Sequence, residues 1–276
     1  MPDHDPVCLT VAGSDPSGGA GLQADLKTFA ALGVFGTAAV AALTAQNTTG
    51  VKGLYPIDPG FVRLQIDAVF DDLPVVAAKT GMLGSGPVIA AVAEAFADRP
   101  DCLLVVDPVM TARGGDLLLE PGAVHVLRDR LLPLAGLITP NRHEAALLTG
   151  TAPIADVAGL RRTARALFER FGRPVLVKGG SAVQGALDLL IDGHGQEFPL
   201  ALADAPLVTR STHGTGCTLS AAVTALLARG HTLREAAAGA KQFVFGAIRH
   251  APGLGAGNGP IDHGWLRRHG PGAARG

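Results

Sequence analysis

Short apolar runs, each stopping at a glycine or a polar residue, recur along this 276-residue chain with helical stretches between them. Val7–Ala12 stops at Gly13, Val75–Ala78 before Lys79, Leu103–Val106 at Asp107, Gly136–Thr139 at Pro140 and Pro174–Val177 at Lys178. Thr37–Ala45 joins them, flanked by Gly36 and Asn47. Such runs read as buried strands. Gly21–Leu32, Pro59–Asp72, Pro87–Ala97 and Val157–Phe171 carry helical spacing, and two more helices are expected over 216–229 and 232–250. Leu187–Ile191 and Gln196–Phe198 suggest a hairpin about Asp192-Gly193, and Leu207-Val208-Thr209 a further short strand. Alternation of this kind predicts an α/β fold with a mostly parallel sheet covered on both faces. No repeat or linker divides the chain, so one domain is expected over 1–276, with a core of about 7–264 and an irregular tail over 265–276.

Composition narrows the classes of function. Hydrophobic residues make up 47% and charged residues 17%, which argues against disorder. A net charge of −1 leaves no electrostatic footprint for nucleic acid. The three cysteines, Cys8, Cys102 and Cys217, form no CxxC pair, which fits a reducing compartment and no thiolate zinc site. Met1–Pro6 is acidic and polar, unlike a signal peptide, and no apolar run reaches membrane-spanning length. A soluble, cytoplasmic protein without nucleic-acid or membrane partners is therefore expected.

In such folds ligands gather at the carboxyl ends of the strands. Here those ends carry Gly13-Ser14-Asp15, Gln46-Asn47, Lys79-Thr80-Gly81, Asp107, Asn141 and Lys178-Gly179-Gly180. The segment Gly19-Ala20-Gly21-Leu22-Gln23-Ala24 has the dinucleotide-fingerprint form GxGxxA, but no Asp or Glu follows between Asp25 and Asp58 to hold a ribose. Neither Gly-Lys-Ser/Thr nor HExxH is present. The most informative loop is His213-Gly214-Thr215-Gly216-Cys217, just before a helix rich in Ala and Leu. N–H groups without partners at a helix start, with the positive end of the helix dipole, make a place for an anion. A cysteine in the first turn tends to have a lowered pKa. The same letters also suit a tight turn with a small apolar residue.

Other positions carry two readings each. Asp25 is either a carboxylate near a substrate hydroxyl or a helix-start charge. Gln46 either reads a ring nitrogen with its neighbouring amine or caps loop backbone. Asn141 and Glu144 share one helical face, and Glu144 either acts on Mg²⁺ through a water or complements a helix start. Asp107 suits a metal-related carboxylate, and Lys178 suits a phosphate.

Together AGSDPSGGAGLQADLKT (12–28), TAQNT (44–48), KTGML (79–83), DPVM (107–110), TPNRHEA (139–145), VKGG (177–180), STHGTGCTLSAA (211–222) and GNGPIDH (257–263) resemble the hydroxymethylpyrimidine/phosphomethylpyrimidine kinases of the ribokinase-like superfamily. The resemblance implies a three-layer α/β/α fold, ATP with Mg²⁺, and a substrate class of aminopyrimidine alcohol and its phosphate, phosphorylated in turn. It places Gly13, Asp25, Gln46 and Met82 at the pyrimidine, and Lys178, Asn141 and Thr212 on the nucleotide side. It assigns Asp107 and Glu144 to the magnesium–phosphate network, Gly214, Thr215 and Gly216 to the anion hole, and Cys217 to the catalytic-base position. It also implies a homodimer. Ser181 departs from the family, which often has His there. The rival readings are a pyridoxal kinase of the same superfamily and a pyrimidine sensor without catalysis. The stretch 241–260 is the expected seat of adenine.

Overall fold

Nine strands join in one sheet in the order β3-β2-β1-β4-β5-β6-β7-β8-β9. They are β1 (Val7–Ser14), β2 (Phe35–Asn47), β3 (Gly50–Pro56), β4 (Val75–Thr80), β5 (Leu103–Val106), β6 (Leu137–Ile138), β7 (Val175–Val177), β8 (Asp188–Ile191) and β9 (Glu197–Leu200). The six strands from β2 to β7 pair in parallel, while β3, β8 and β9 add antiparallel edges. The computed structural model describes residues 4–111, 118–120, 122–180, 183, 186–202 and 209–270.

The helices are α1 (Gly21–Ala31), α2 (Pro59–Asp72), α3 (Gly86–Ala97), α4 (Ala123–Val126), α5 (Arg142–Thr149), α6 (Val157–Phe171), α7 (Thr215–Ala228), α8 (Leu233–Arg249) and α9 (Trp265–His269). Alternate side chains of each strand feed two separate cores. Leu9, Ala78, Val106, Ile138 and Val177 face α2 to α6, whereas Cys8, Ala77, Val105, Leu137 and Leu176 face α1, α7 and α8. A sheet apolar on both faces needs both helical layers, which gives the expected three-layer α/β/α architecture.

Local chemistry sets most helix starts. Asp58 accepts from the Phe61 N–H at 3.0 Å ahead of Pro59, and Asp156 accepts from the Gly159 N–H at 2.6 Å. Thr232 and Glu235 form a reciprocal capping box at α8. α7, like the short α4, starts after a glycine in the left-handed region, Gly214, and has no side-chain cap.

The structure departs from the sequence expectations in a few places. β3 has no counterpart among the expected strands, because Gly50, Lys52 and Gly53 interrupt its apolar pattern. Helical turns over 123–134 were also not expected. The tail is not wholly irregular. Trp265–His269 is a short helix, pinned by a 3.0 Å hydrogen bond from the Trp265 indole to the Phe243 carbonyl. A tertiary contact thus overrides a Gly- and Arg-rich composition. The strand expected at Leu207-Val208-Thr209 lies mostly outside the described residues, as does Ser181, and Thr209 itself is not in a strand.

Candidate active site

A cavity of about 1290 Å³ opens at the carboxyl ends of the strands. Of the residues expected at a site, Gly13, Gln46, Met82, Asp107, Asn141, Glu144, Lys178 and Thr212 line it, together with Gly214, Thr215, Gly216 and Cys217. Asp25 does not. It lies fully buried in α1, gripped by the Lys79 amine at 3.0 Å and by the Thr10 hydroxyl at 2.7 Å. Its expected place at the substrate is corrected: its carboxylate partners a buried lysine that sequence reading had noted only as a polar strand end.

The β5–β7 side concentrates charge. Lys178, just past β7, donates to Asp107, just past β5, at 2.8 Å. The other Asp107 oxygen accepts from Ser220 of α7 at 3.1 Å. Burial works against the Lys178 cation, but Asp107 and Glu144 outweigh it and hold its pKa above the ordinary lysine value. Glu144 is buried, and burial pushes its carboxyl up to about 7; Lys178 opposes that rise and Asp107 adds to it. Of the two readings of the Asn141/Glu144 pair, the geometry shows the helix-start one. Asn141 Oδ1 accepts from the His143 and Glu144 N–H groups at 2.8 and 3.0 Å, and Glu144 accepts from the Asn141 N–H at 2.8 Å. The capping box therefore also fixes the Glu144 carboxyl at the cavity wall.

The 213–217 loop stands over these charges. Gly214 has φ +77°, and a Cβ there would collide with the Gly19 carbonyl, so only glycine fits. A Cβ at Gly216 would stand 3.3 Å from the Lys178 amine, so the loop backbone closes directly on that cation. The uncapped start of α7, its N–H groups and dipole directed at the cavity, meets Lys178 there: two anion-binding devices side by side.

Cys217 corrects the expectation of a lowered thiol pKa. Burial raises it to about 11; Lys79 and a hydrogen bond from the Gly21 N–H pull it down, and Asp25 and Asp107 push it up. At neutral pH only about 1 in 10⁴ of such thiols is ionised. The helix start alone does not overcome loss of water.

The β1–β2 side is mostly uncharged. Met82 packs over Gly13, where a Cβ would collide with the Met82 methyl. Gln46 lies between the Thr44 hydroxyl, at 3.2 Å, and the His213 ring, at 3.4 Å. His213 Nε2 bonds Asp15 at 2.7 Å. Burial alone would raise the Asp15 pKa, but hydrogen bonds from His213 and Ser17 hold it below the usual carboxylate value. Sequence reading assigned no role to Thr44, Asp15 or the His213 ring, although all fall within the motifs it singled out.

The expected adenine stretch 241–260 supplies Lys241, Val244, Phe245 and Ile248 to the cavity, all on one face of α8. None of 249–260 lines it. Lys241 is anchored to Asp188 and to the Ala186 carbonyl, both at 2.6 Å. Among the described residues no group of three or more His, Cys, Asp or Glu could hold a metal, and no helix is long and apolar enough to cross a membrane.

A family model described as phosphomethylpyrimidine kinase matches residues 15–262. A hydroxymethylpyrimidine/phosphomethylpyrimidine kinase of Haemophilus influenzae is 46% identical over 259 residues, covering 92% of this chain and 95% of that protein. The thiamine biosynthesis bifunctional protein ThiED of Geobacter sulfurreducens is 49% identical over 256 residues; the match covers 92% of this chain but 51% of that longer protein. Among solved structures, a Bacillus subtilis pyridoxal kinase with ADP has a TM-score of 0.85 at 37% identity, covering 95% of this chain and 99% of its own. A Clostridium difficile phosphomethylpyrimidine kinase has a TM-score of 0.77 at 39% identity, covering 88% and 100%.

Proposed function

This chain belongs to the phosphomethylpyrimidine kinase family and is a phosphotransferase, and we propose that its cavity carries an in-line transfer from ATP first to the hydroxymethyl oxygen of 4-amino-5-hydroxymethyl-2-methylpyrimidine and then to the resulting monophosphate. The observation that carries this reading is the juxtaposition of Lys178 with the uncapped N-terminus of α7 across Gly216. A migrating phosphoryl group spreads negative charge over its oxygens, and fixed donors and cations offset that charge without reorganising.

The residues divide by task. Lys178, steadied by Asp107, faces the phosphates, with Asn141 and Thr212 on the same nucleotide side. The apolar face of α8 at Val244, Phe245 and Ile248 suits a nucleobase. Asp107 and Glu144 are the donors that fit Mg²⁺, since this ion takes one or two carboxylates and completes its shell with phosphates and water. When bound, Mg²⁺ offsets phosphate charge. The 214–217 N–H groups serve both phosphorylations. Gly13, Gln46 and Met82 hold the ring.

Cys217 takes the hydroxyl proton only in the first phosphorylation. A thiol raised to about 11 is protonated at rest, so the working base is its minor thiolate form, the proton having gone to solvent; that thiolate takes the hydroxyl proton as the new O–P bond forms and the bond to the leaving ADP oxygen breaks. The second acceptor is a phosphate oxygen, already mostly ionised, and needs no base. We place a second copy of the chain, as a homodimer, against the exposed Leu43 and Tyr55 that pair across β2 and β3.

Phosphorus NMR of the protein with ATP and the aminopyrimidine alcohol tests the reading. Monophosphate and then diphosphate product is expected. Transfer to pyridoxal and none to the pyrimidine would replace it with the pyridoxal kinase reading, to which the ADP-bound neighbour is also similar.

A further inference from the structure

The hydrogen atoms around Gln46 can be counted. Thr44 Oγ1 stands 2.9 Å from the Ser14 carbonyl and 3.2 Å from one terminal atom of the Gln46 amide. A hydroxyl has a single proton, and the Ser14 carbonyl can only accept. With that proton on Ser14, Thr44 has only lone pairs to offer, so the amide atom facing it must be the NH₂. The other end gives the same answer. His213 Nε2 lies 2.7 Å from Asp15 Oδ2, an ionised oxygen that can only accept, so Nε2 carries a proton. The amide atom 3.4 Å from that N–H must then be the carbonyl oxygen, taking a long second branch of the bond. Amide O and N positions are assigned from such networks, and only this orientation satisfies every partner.

We propose that Thr44 on one side and the Asp15–His213 pair on the other form an orientation lock for the Gln46 carboxamide, and that this lock sets substrate choice. It leaves one N–H and one carbonyl lone pair of Gln46 directed along the outer edge of the amide. That edge complements a ring nitrogen with a neighbouring exocyclic amine, in one orientation of the ring only. A pyridine alcohol such as pyridoxal has a ring nitrogen without a neighbouring amine, so it satisfies half of the edge and leaves the amide oxygen unpaired. The inference rests on the pyrimidine reading given above. It adds positioning residues rather than catalytic ones: Thr44 and Asp15 act through Gln46.

The lock also has a long tether. Asp15 Oδ1 accepts from the Ser17 N–H at 2.9 Å, Oδ2 accepts from the Ala20 N–H at 2.8 Å, and the Asp15 N–H donates to Gln23 at 2.8 Å. The His213 N–H donates to the Gly259 carbonyl at 3.0 Å. His213 opens the 213–217 loop, so one residue links the ring-reading amide to the phosphoryl-transfer loop.

The test compares wild type, Thr44→Val and Thr44→Ser on the aminopyrimidine alcohol and on pyridoxal, each by kcat/KM. Thr44→Val removes the hydroxyl at nearly constant volume. It should raise the pyrimidine KM and cut the pyrimidine-over-pyridoxal ratio about 10-fold, the scale of one misdirected polar contact, with kcat changed less than KM. Thr44→Ser should restore the ratio. A ratio within 2-fold of wild type in Thr44→Val, or no rescue by Thr44→Ser, would overturn the lock. Long-range ¹H–¹⁵N spectra of the wild-type imidazoles give a reading that needs no variant: a protonated Nε2 on His213 is expected, and a bare Nε2 overturns the proposal. A wild type that phosphorylates no pyrimidine at all strikes instead at the function on which the lock rests.

Discussion

The two ends of the cavity solve binding by opposite means. At the β5–β7 end, charged groups cluster: Lys178 pairs with the buried Asp107, and the buried Glu144 lies beside both. At the β1–β2 end, Gln46, Thr44, Ser14 and Gln23 form a mostly neutral hydrogen-bond lattice around glycine and methionine, anchored by the Asp15–His213 pair. A phosphoryl group is symmetric and highly charged, so field strength matters more than the direction of any one donor. A heteroaromatic ring is nearly uncharged and differs from its analogues in the order of donors and acceptors, so direction matters more than field. The charged end should therefore govern rate and the neutral end substrate choice.

The sharpest way to break that division is Lys178→Met. It removes the cation that faces the loop and leaves the Asp107 carboxylate, among the described residues, with Ser220 as its hydrogen-bond partner. Turnover should fall about 10³-fold in both phosphorylations, in line with loss of a transition-state donor, with little change in pyrimidine KM. A large KM effect with unchanged kcat, read from steady-state assays, would erase the distinction between the two ends. Cys217→Ala comes next. The first phosphorylation should slow about 10²-fold, the lower range for loss of a general base, and the second by less than about 3-fold. Equal losses measured with separately supplied alcohol and monophosphate would make Cys217 a loop-shaping residue. Gln46→Leu should show the converse pattern: pyrimidine KM up about 10-fold and kcat nearly held, because an apolar side chain leaves the ring's polar edge unpaired.

The two ends were also unequally legible in the sequence. The order of strands and polar stops pointed to the sheet edge, because a parallel sheet sends every carboxyl end to one rim. The charged residues Asp107, Glu144 and Lys178 could be read singly, since a charge at the end of an apolar strand stands out. Asp25 looked equally prominent and was misplaced. Its burial depends on Lys79, 54 residues away, and no local pattern announces a pairing across strands. The Cys217 thiol was misread for a related reason: helix position is local and visible, whereas the degree of burial that overrides it is set by tertiary packing. The neutral lattice was least visible. Gln46 could be read as a strand-end amide, but the parts played by Thr44 and the His213 ring stay hidden until the fold brings position 46 beside position 213.

The smallest expected effect tests whether the charged end stores a cost. Burial raises the Glu144 carboxyl from its ordinary 4.5 to about 7 in the folded protein. The fold therefore holds this proton more tightly than the unfolded chain does. The stability linked to that proton is fully present below about pH 4.5 and is lost as pH rises through about 7. At about 1.4 kcal/mol per unit, a shift of this size corresponds to about 3 kcal/mol. Glu144→Gln keeps a carbonyl to accept from the Asn141 N–H but does not titrate. Urea denaturation without nucleotide should show the wild type losing stability between pH 5 and pH 8 relative to the variant, by about 1 kcal/mol or more. Turnover of the variant should fall at the same time, since a neutral amide cannot serve the phosphate network as a carboxylate does. Parallel pH profiles for the two proteins would show that Glu144 is comfortable as a buried carboxylate. A variant that is more stable at pH 8 yet slower would show that this end of the cavity keeps an ill-solvated charge for the sake of transfer, while the neutral end carries no such strain.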